Sequence, residues 1–86
     1  ICDPSAHVYV WEGGGIARHW GVTARTVPVE GTLLTADALR GLVRPDDGHY
    51  VRTRVVSVEN THNRAGGRVH PLAEVERIGA WTKEHG

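Results

Sequence analysis

The chain has 86 residues, enough for one small domain and too few for two. Apolar residues make up 40% and charged residues 23%, which argues against disorder. Nine Arg and one Lys balance four Asp and six Glu, so no bulk charge draws the chain to nucleic acid or to a membrane surface. The single cysteine, Cys2, excludes an internal disulfide framework and a Cys-rich zinc site. No apolar run approaches the ~20 residues of a membrane span, and no signal-peptide pattern is present. A cytoplasmic setting is therefore expected. Neither Ile1 nor Gly86 looks like a natural terminus, so a fragment of a longer protein is expected.

In chain order, Ile1-Cys2-Asp3-Pro4 reads as the last residues of a strand leaving into a loop, with Pro4 biasing Asp3 to an extended conformation. His7 to Trp11 suits either an extended segment or a turn, and Glu12-Gly13-Gly14-Gly15 interrupts regular structure. Ile16 to Trp20 predicts a short helix capped by Gly21. Val22 to Val29 is rich in Val and Thr and predicts a strand, with Pro28 marking an edge or exit. Thr35 is a candidate N-cap for a helix carrying Ala36, Leu39, Leu42 and Val43 on one face, ended by Pro45-Asp46-Asp47-Gly48. Arg54 to Val58 is the clearest strand, apolar almost throughout, as a strand covered on both faces should be. After a Gly-rich loop over Arg64 to Arg68, Pro71 predicts a helix start, with Leu72, Val75, Ile78 and Ala80/Trp81 as its apolar stripe. Strands alternating with helices predict an α/β fold with a mostly parallel sheet.

In open α/β sheets, ligands sit beyond the carboxyl ends of strands. Two polar clusters fall there. The first is Asp3-Pro4-Ser5-Ala6-His7 with Glu12, and the second is Glu59-Asn60-Thr61-His62-Asn63. Each carries a histidine, which exchanges protons near neutral pH. Gly13-Gly14-Gly15 lacks both the Gly-Lys-Ser/Thr ending of a phosphate loop and the last glycine of the dinucleotide pattern. Neither Cys2, His7 and Glu12 nor His62 and His70 have metal-ligand spacing, so no metal is expected.

Asp3-Pro4-Ser5-Ala6-His7-Val8-Tyr9, followed by Trp11-Glu12-Gly13-Gly14-Gly15-Ile16-Ala17, resembles one signature of the low-specificity L-threonine aldolases. The run Val58-Glu59-Asn60-Thr61-His62-Asn63-Arg64-Ala65-Gly66-Gly67-Arg68-Val69, with Pro71-Leu72 after it, is similar to the other. Gly21-Val22, Val27-Pro28-Val29, Leu39 and Val43 fit the connecting segment, so the resemblance covers the whole chain. It implies a three-layer α/β/α large domain of aspartate-aminotransferase type, with residues 1–86 as a single partial domain from its central part. It also implies pyridoxal 5'-phosphate as cofactor. The Schiff-base lysine of that family would lie outside this chain, whose Lys83 is in the wrong motif.

The implied reaction cleaves L-threonine or L-allo-threonine to glycine and acetaldehyde. The resemblance makes His7, Glu12 and His62 the catalytic candidates. His7 would stack over the cofactor ring, Glu12 would reach the same pocket, and His62 would lie near the substrate hydroxyl. Asn60 and Asn63 would polarise the cofactor or pin the loop. The base stays open between His7, His62 and a water held by Glu12. Trp11 departs from the Tyr that many relatives carry, and indole cannot accept a hydrogen bond. A homotetramer with sites at subunit interfaces is implied. The alternatives are a β-eliminating lyase with the same fold and cofactor, and a non-catalytic α/β binding module.

Overall fold

In the computed structural model, which describes residues 1–86 apart from the side chain of Thr32, helix α1 (His7–Val10) is a single turn. A 3-10 turn follows at Glu12–Gly14, where Glu12, Gly13 and Gly14 take φ values of 52°, 59° and 68°. Glycine reaches that region at little cost, so the Gly run lets the chain reverse into the next helix. Helix α2 (Gly15–Trp20) ends at Gly21. Gly21 takes φ 62° and donates to Ala17 O at 3.1 Å, the expected glycine cap. Helix α3 (Leu72–Glu84) starts directly after Pro71, as its sequence predicts. Ile78 of α3 is buried and Val75 and Trp81 are half-buried. Leu72 is exposed, so the apolar stripe begins one turn later than expected.

Leu34, Ala36, Leu39 and Ile78 form the core, with Val27, Val29, Leu42, Val56, Val58 and Trp81 packed around it. Leu34 and Leu39 are fully buried, and burial of each is worth ~1.5–3 kcal/mol. The core thus joins α3 to the segment expected to form a second long helix. That helix does not form. Only a 3-10 turn at Asp37–Leu39 is present; Arg40 leaves it at ψ 130° and Gly41 takes φ 69°. Side chains of α3 hold this turn in place from outside. Glu74 Oε1 accepts from Ala36 N at 2.7 Å, and Arg77 donates to Asp37 Oδ2 at 2.9 Å. Thr35 does act at the start, its Oγ1 accepting from Ala38 N at 3.2 Å.

The expected α/β fold with a mostly parallel sheet is overturned. Among the described residues there is no strand and no sheet. The three extended segments meet only at Ile1 and Cys2. Cys2 N donates to Arg25 O at 3.1 Å and Val27 N to Cys2 O at 2.9 Å, a lone parallel bridge between Cys2 and Thr26. On the other side Ile1 N donates to Val55 O at 2.7 Å, and Ser57 N donates to Ile1 O at 2.9 Å. The physical reason is length. Ile1 and Cys2 alone separate the other two segments before the chain turns away at Pro4, and a ladder needs a partner along most of each strand. A three-layer arrangement fails on size as well. The shortest axis is 18 Å, room for about two layers of ~10 Å.

Candidate active site

Ile1-Cys2 lies between the segments around Thr26 and Val56, so the loops that leave Cys2 and Val58 emerge side by side. Two carboxylates tie these loops together. Glu59 Oε2 accepts from His7 N at 2.6 Å, and its Oε1 lies 2.8 Å from His7 Nδ1 and accepts from Asn63 N at 3.0 Å. Burial pushes the Glu59 carboxyl up, but the bonds from His7 N, Asn63 N and the His7 ring outweigh it and hold the group at about 2. Asp3 makes the second tie. Its Oδ1 lies 3.2 Å from His62 Nε2, and also accepts from Ser5 N at 2.7 Å and from Ser5 Oγ. A third contact crosses the same gap: the Arg64 guanidinium lies over the Trp11 ring, 5.5 Å from its centroid.

The two histidines differ in access. The His7 side chain is 35% exposed, whereas His62 is 1% exposed. His62 is locked into its own loop, its N donating to Arg68 O at 2.8 Å and its O accepting from Gly67 N at 2.9 Å. Gly66 and Gly67, at φ 74° and 75°, make that tight closure possible. Asn60 Oδ1 accepts from His70 N at 3.2 Å, so this side chain pins the loop. Asn63 enters through its backbone N–H, and its side chain makes no bond among the described residues. Glu12 is exposed, at φ 52°, and its side chain bonds to neither histidine. Of the five residues singled out in the sequence, His7 and Asn63 are thus joined through Glu59, His62 and Asn60 lie in the adjoining loop, and Glu12 stands apart.

Asp3, Glu59 and His70 are the residues that sequence reasoning left unassigned. Each lay inside or beside a cluster, and the signal was chemical: a half-buried imidazole needs a fixed acceptor, and a carboxylate a few residues from each bend provides one. His70 gave less notice. It is 4% exposed, and burial lowers its pKa, His62 lowers it further, and Glu74 pulls the other way. The Nδ1 atoms of His62 and His70 are both buried without a hydrogen-bond partner among the described residues.

A planar aromatic cofactor such as pyridoxal phosphate needs a flat side chain held at its edge and open on a face. His7 fits, being clamped through Nδ1 and half-exposed. Lys83 lies on the last turn of α3 and takes no part in either cluster. Among the described residues, no three His, Cys, Asp or Glu side chains converge as they would around a metal ion. Nor is any helix there long and apolar enough to cross a membrane. A cleft of about 410 Å³ between Arg44, Arg52, Arg54 and His85 shares no residue with the clusters.

Comparison with known proteins finds relatives along the whole chain. The low-specificity L-threonine aldolase of Saccharomyces cerevisiae is 40% identical over 89 residues, covering 100% of this chain and 22% of its own length. The corresponding Escherichia coli K12 protein is 34% identical over 86 residues, covering 98% of this chain and 25% of its own length. A probable low-specificity L-threonine aldolase 2 of Arabidopsis thaliana is 33% identical over 90 residues, again with 25% of its length covered. The chain therefore spans about a quarter of the relatives it matches. The family described as beta-eliminating lyase matches residues 1–86. With every residue from Ile1 to Gly86 inside that match, the chain belongs to the beta-eliminating lyase family.

Proposed function

We propose that the protein carrying this chain cleaves the Cα–Cβ bond of β-hydroxy-α-amino acids such as L-threonine and L-allo-threonine, with pyridoxal phosphate as cofactor. On this reading residues 1–86 are a partial domain that supplies one wall of the active site. The observation that carries it is similarity along the whole chain to low-specificity L-threonine aldolases of yeast, plant and bacterium, at 40%, 33% and 34% identity. We read the parent as a cytoplasmic homotetramer on the resemblance alone.

Within the wall, His7 is the residue suited to meet ligand. Its ring is held at one edge by Glu59 and is 35% exposed, so it can lie against a planar group and exchange a proton. The bound cofactor supplies an electron sink for the charge left at Cα. Asn60 pins the second loop through His70 N, and Asn63 N–H holds the Glu59 carboxylate that clamps His7. His62 works from beneath. It is 1% exposed and bonded to Asp3, so a buried strut is the role its surroundings favour. Glu12, being exposed, can reach solvent or a neighbouring part of the protein.

A second reading follows from the family description itself: β-elimination with the same cofactor. The two differ in products. Aldol cleavage of L-threonine yields glycine and acetaldehyde in equal amounts. β-Elimination yields 2-oxobutanoate and ammonia. Incubating the full-length protein and cofactor with L-threonine, then quantifying all four, tests the proposal. Glycine and acetaldehyde are expected; 2-oxobutanoate with ammonia would establish the alternative.

A further inference from the structure

A neutral imidazole has one N–H and one lone pair, and their placement decides what the ring can do. At His7 the surroundings fix that placement for the neutral ring. The Asn63 backbone N–H can only donate, and it donates to Glu59 Oε1 at 3.0 Å. The His7 backbone N–H can only donate, and it donates to Oε2 at 2.6 Å. Both oxygens of Glu59 are therefore acceptors. His7 Nδ1, 2.8 Å from Oε1, must bring the hydrogen. The lone pair then sits on Nε2, to which no group bonds among the described residues, on a ring that is 35% exposed.

We propose that Glu59 is a positioning residue of this site, locking His7 in the Nδ1–H tautomer so that Nε2 faces the ligand as an acceptor. The inference rests on the aldol-cleavage reading given above. In that reaction the β-hydroxyl O–H breaks and its proton passes to Nε2. The oxygen's electron pair closes the aldehyde carbonyl, and the pair of the breaking Cα–Cβ bond stays at Cα. His7 becomes an imidazolium whose Nδ1–H remains on the Glu59 carboxylate, so the new charge is neutralised where it forms. One carboxylate thereby serves both loops, clamping the backbone and ring of His7 and pinning Asn63.

His62 provides an internal contrast. Ser5 N–H donates to Asp3 Oδ1, so that oxygen is an acceptor, and His62 Nε2, 3.2 Å away, carries the hydrogen. The two histidines are held in opposite tautomers. Glutamine cannot replace Glu59, because its NH2 group would face a fixed N–H donor at Oε2, or Asn63 N–H and the His7 ring at Oε1.

The test is nitrogen NMR of the cofactor-free full-length protein with 15N-labelled histidine, the His7 signals assigned by their loss in His7→Phe. The wild type should show His7 with hydrogen on Nδ1 and His62 with hydrogen on Nε2. Glu59→Gln should shift the His7 tautomer ratio roughly 10–100-fold toward Nε2–H, the range that a charge-assisted hydrogen bond supports, and leave His62 unchanged. With cofactor and L-threonine, kcat should fall roughly 10–10³-fold with KM little altered, and Glu59→Asp should recover part of the loss. A wild-type His7 in the Nε2–H form overturns the proposal without any variant. So does a Glu59→Gln protein with unchanged tautomer and unchanged kcat. A wild type that cleaves L-threonine but has the wrong tautomer refutes this inference alone. One with the stated tautomers and no cleavage refutes the aldolase reading, and with it the role of Glu59 in that reaction.

Discussion

Replacing Asp3 tests whether His62 is a buried strut. Asp3 and His62 are 4% and 1% exposed, and among the described residues Asp3 Oδ1 is the one partner of the His62 ring. Asp3→Ala leaves an imidazole with both nitrogens buried and unbonded, which costs about 1–3 kcal/mol. Opening of the loop should then become roughly 5–150 times more frequent. Native-state hydrogen exchange on the full-length protein reads this at two amides, His62 N on Arg68 O and Gly67 N on His62 O. Both should lose protection by that factor, while Val75 N, bonded to Pro71 O in α3, should not change. Asp3→Asn is the companion. Ser5 N, Ser5 Oγ and His62 Nε2 all converge on the single oxygen Oδ1, so an amide oxygen in that place keeps every bond. Its loss of protection should stay within about fivefold. Unchanged exchange in Asp3→Ala, or equal damage from Asn and Ala, would refute the strut.

Leu39→Ala, at a site with 0% exposure, should destabilise the full-length protein by about 2–5 kcal/mol in denaturant unfolding, and a loss below about 1 would contradict the core described here. Stability should fall with acid in two stages. His70 resists protonation in the folded protein, so the unfolded chain takes up more protons as pH drops below 6.5, and His70→Leu should flatten the curve just there. Glu59 is held at about 2 against 4.5 unfolded, so its contribution is complete above pH 4.5 and drains away as pH falls toward 2. Thermal midpoints across pH check both, and a His70→Leu curve parallel to wild type would count against the first. Glu12→Gln should leave stability within about 0.5 kcal/mol, so a loss of activity in that variant reports contact with ligand or water rather than folding.

Local chemistry was legible in the sequence wherever one residue decides the outcome. Gly21 stops α2 because it alone takes a positive φ cheaply, and Pro71 opens α3 because it has no N–H to satisfy. The two His-bearing clusters were legible for the same reason, as polar residues gathered at chain bends. What was not legible depends on partners distant in sequence. The period of Ala36, Leu39 and Leu42 suits a helix, yet the backbone leaves it at Arg40 (ψ 130°) and Gly41 (φ 69°), and the single turn that remains is tied to Glu74 and Arg77 of α3. Arg54 to Val58 has strand composition, but among the described residues only Ile1 pairs with it through backbone bonds. Periodicity identifies a segment that prefers to be extended; it does not supply neighbours. Glu59 was visible as a member of its cluster, and its partner 52 residues away was not.

The central claim is that the His7 face of this wall lies against the cofactor, and the affinity of full-length His7→Phe and His7→Ala proteins for pyridoxal phosphate tests it most directly. Phenylalanine keeps a flat ring at that place and alanine does not. The account predicts cofactor binding roughly 2–12-fold tighter in His7→Phe than in His7→Ala, the range of an aromatic pair. Equal affinity in the two proteins would contradict it.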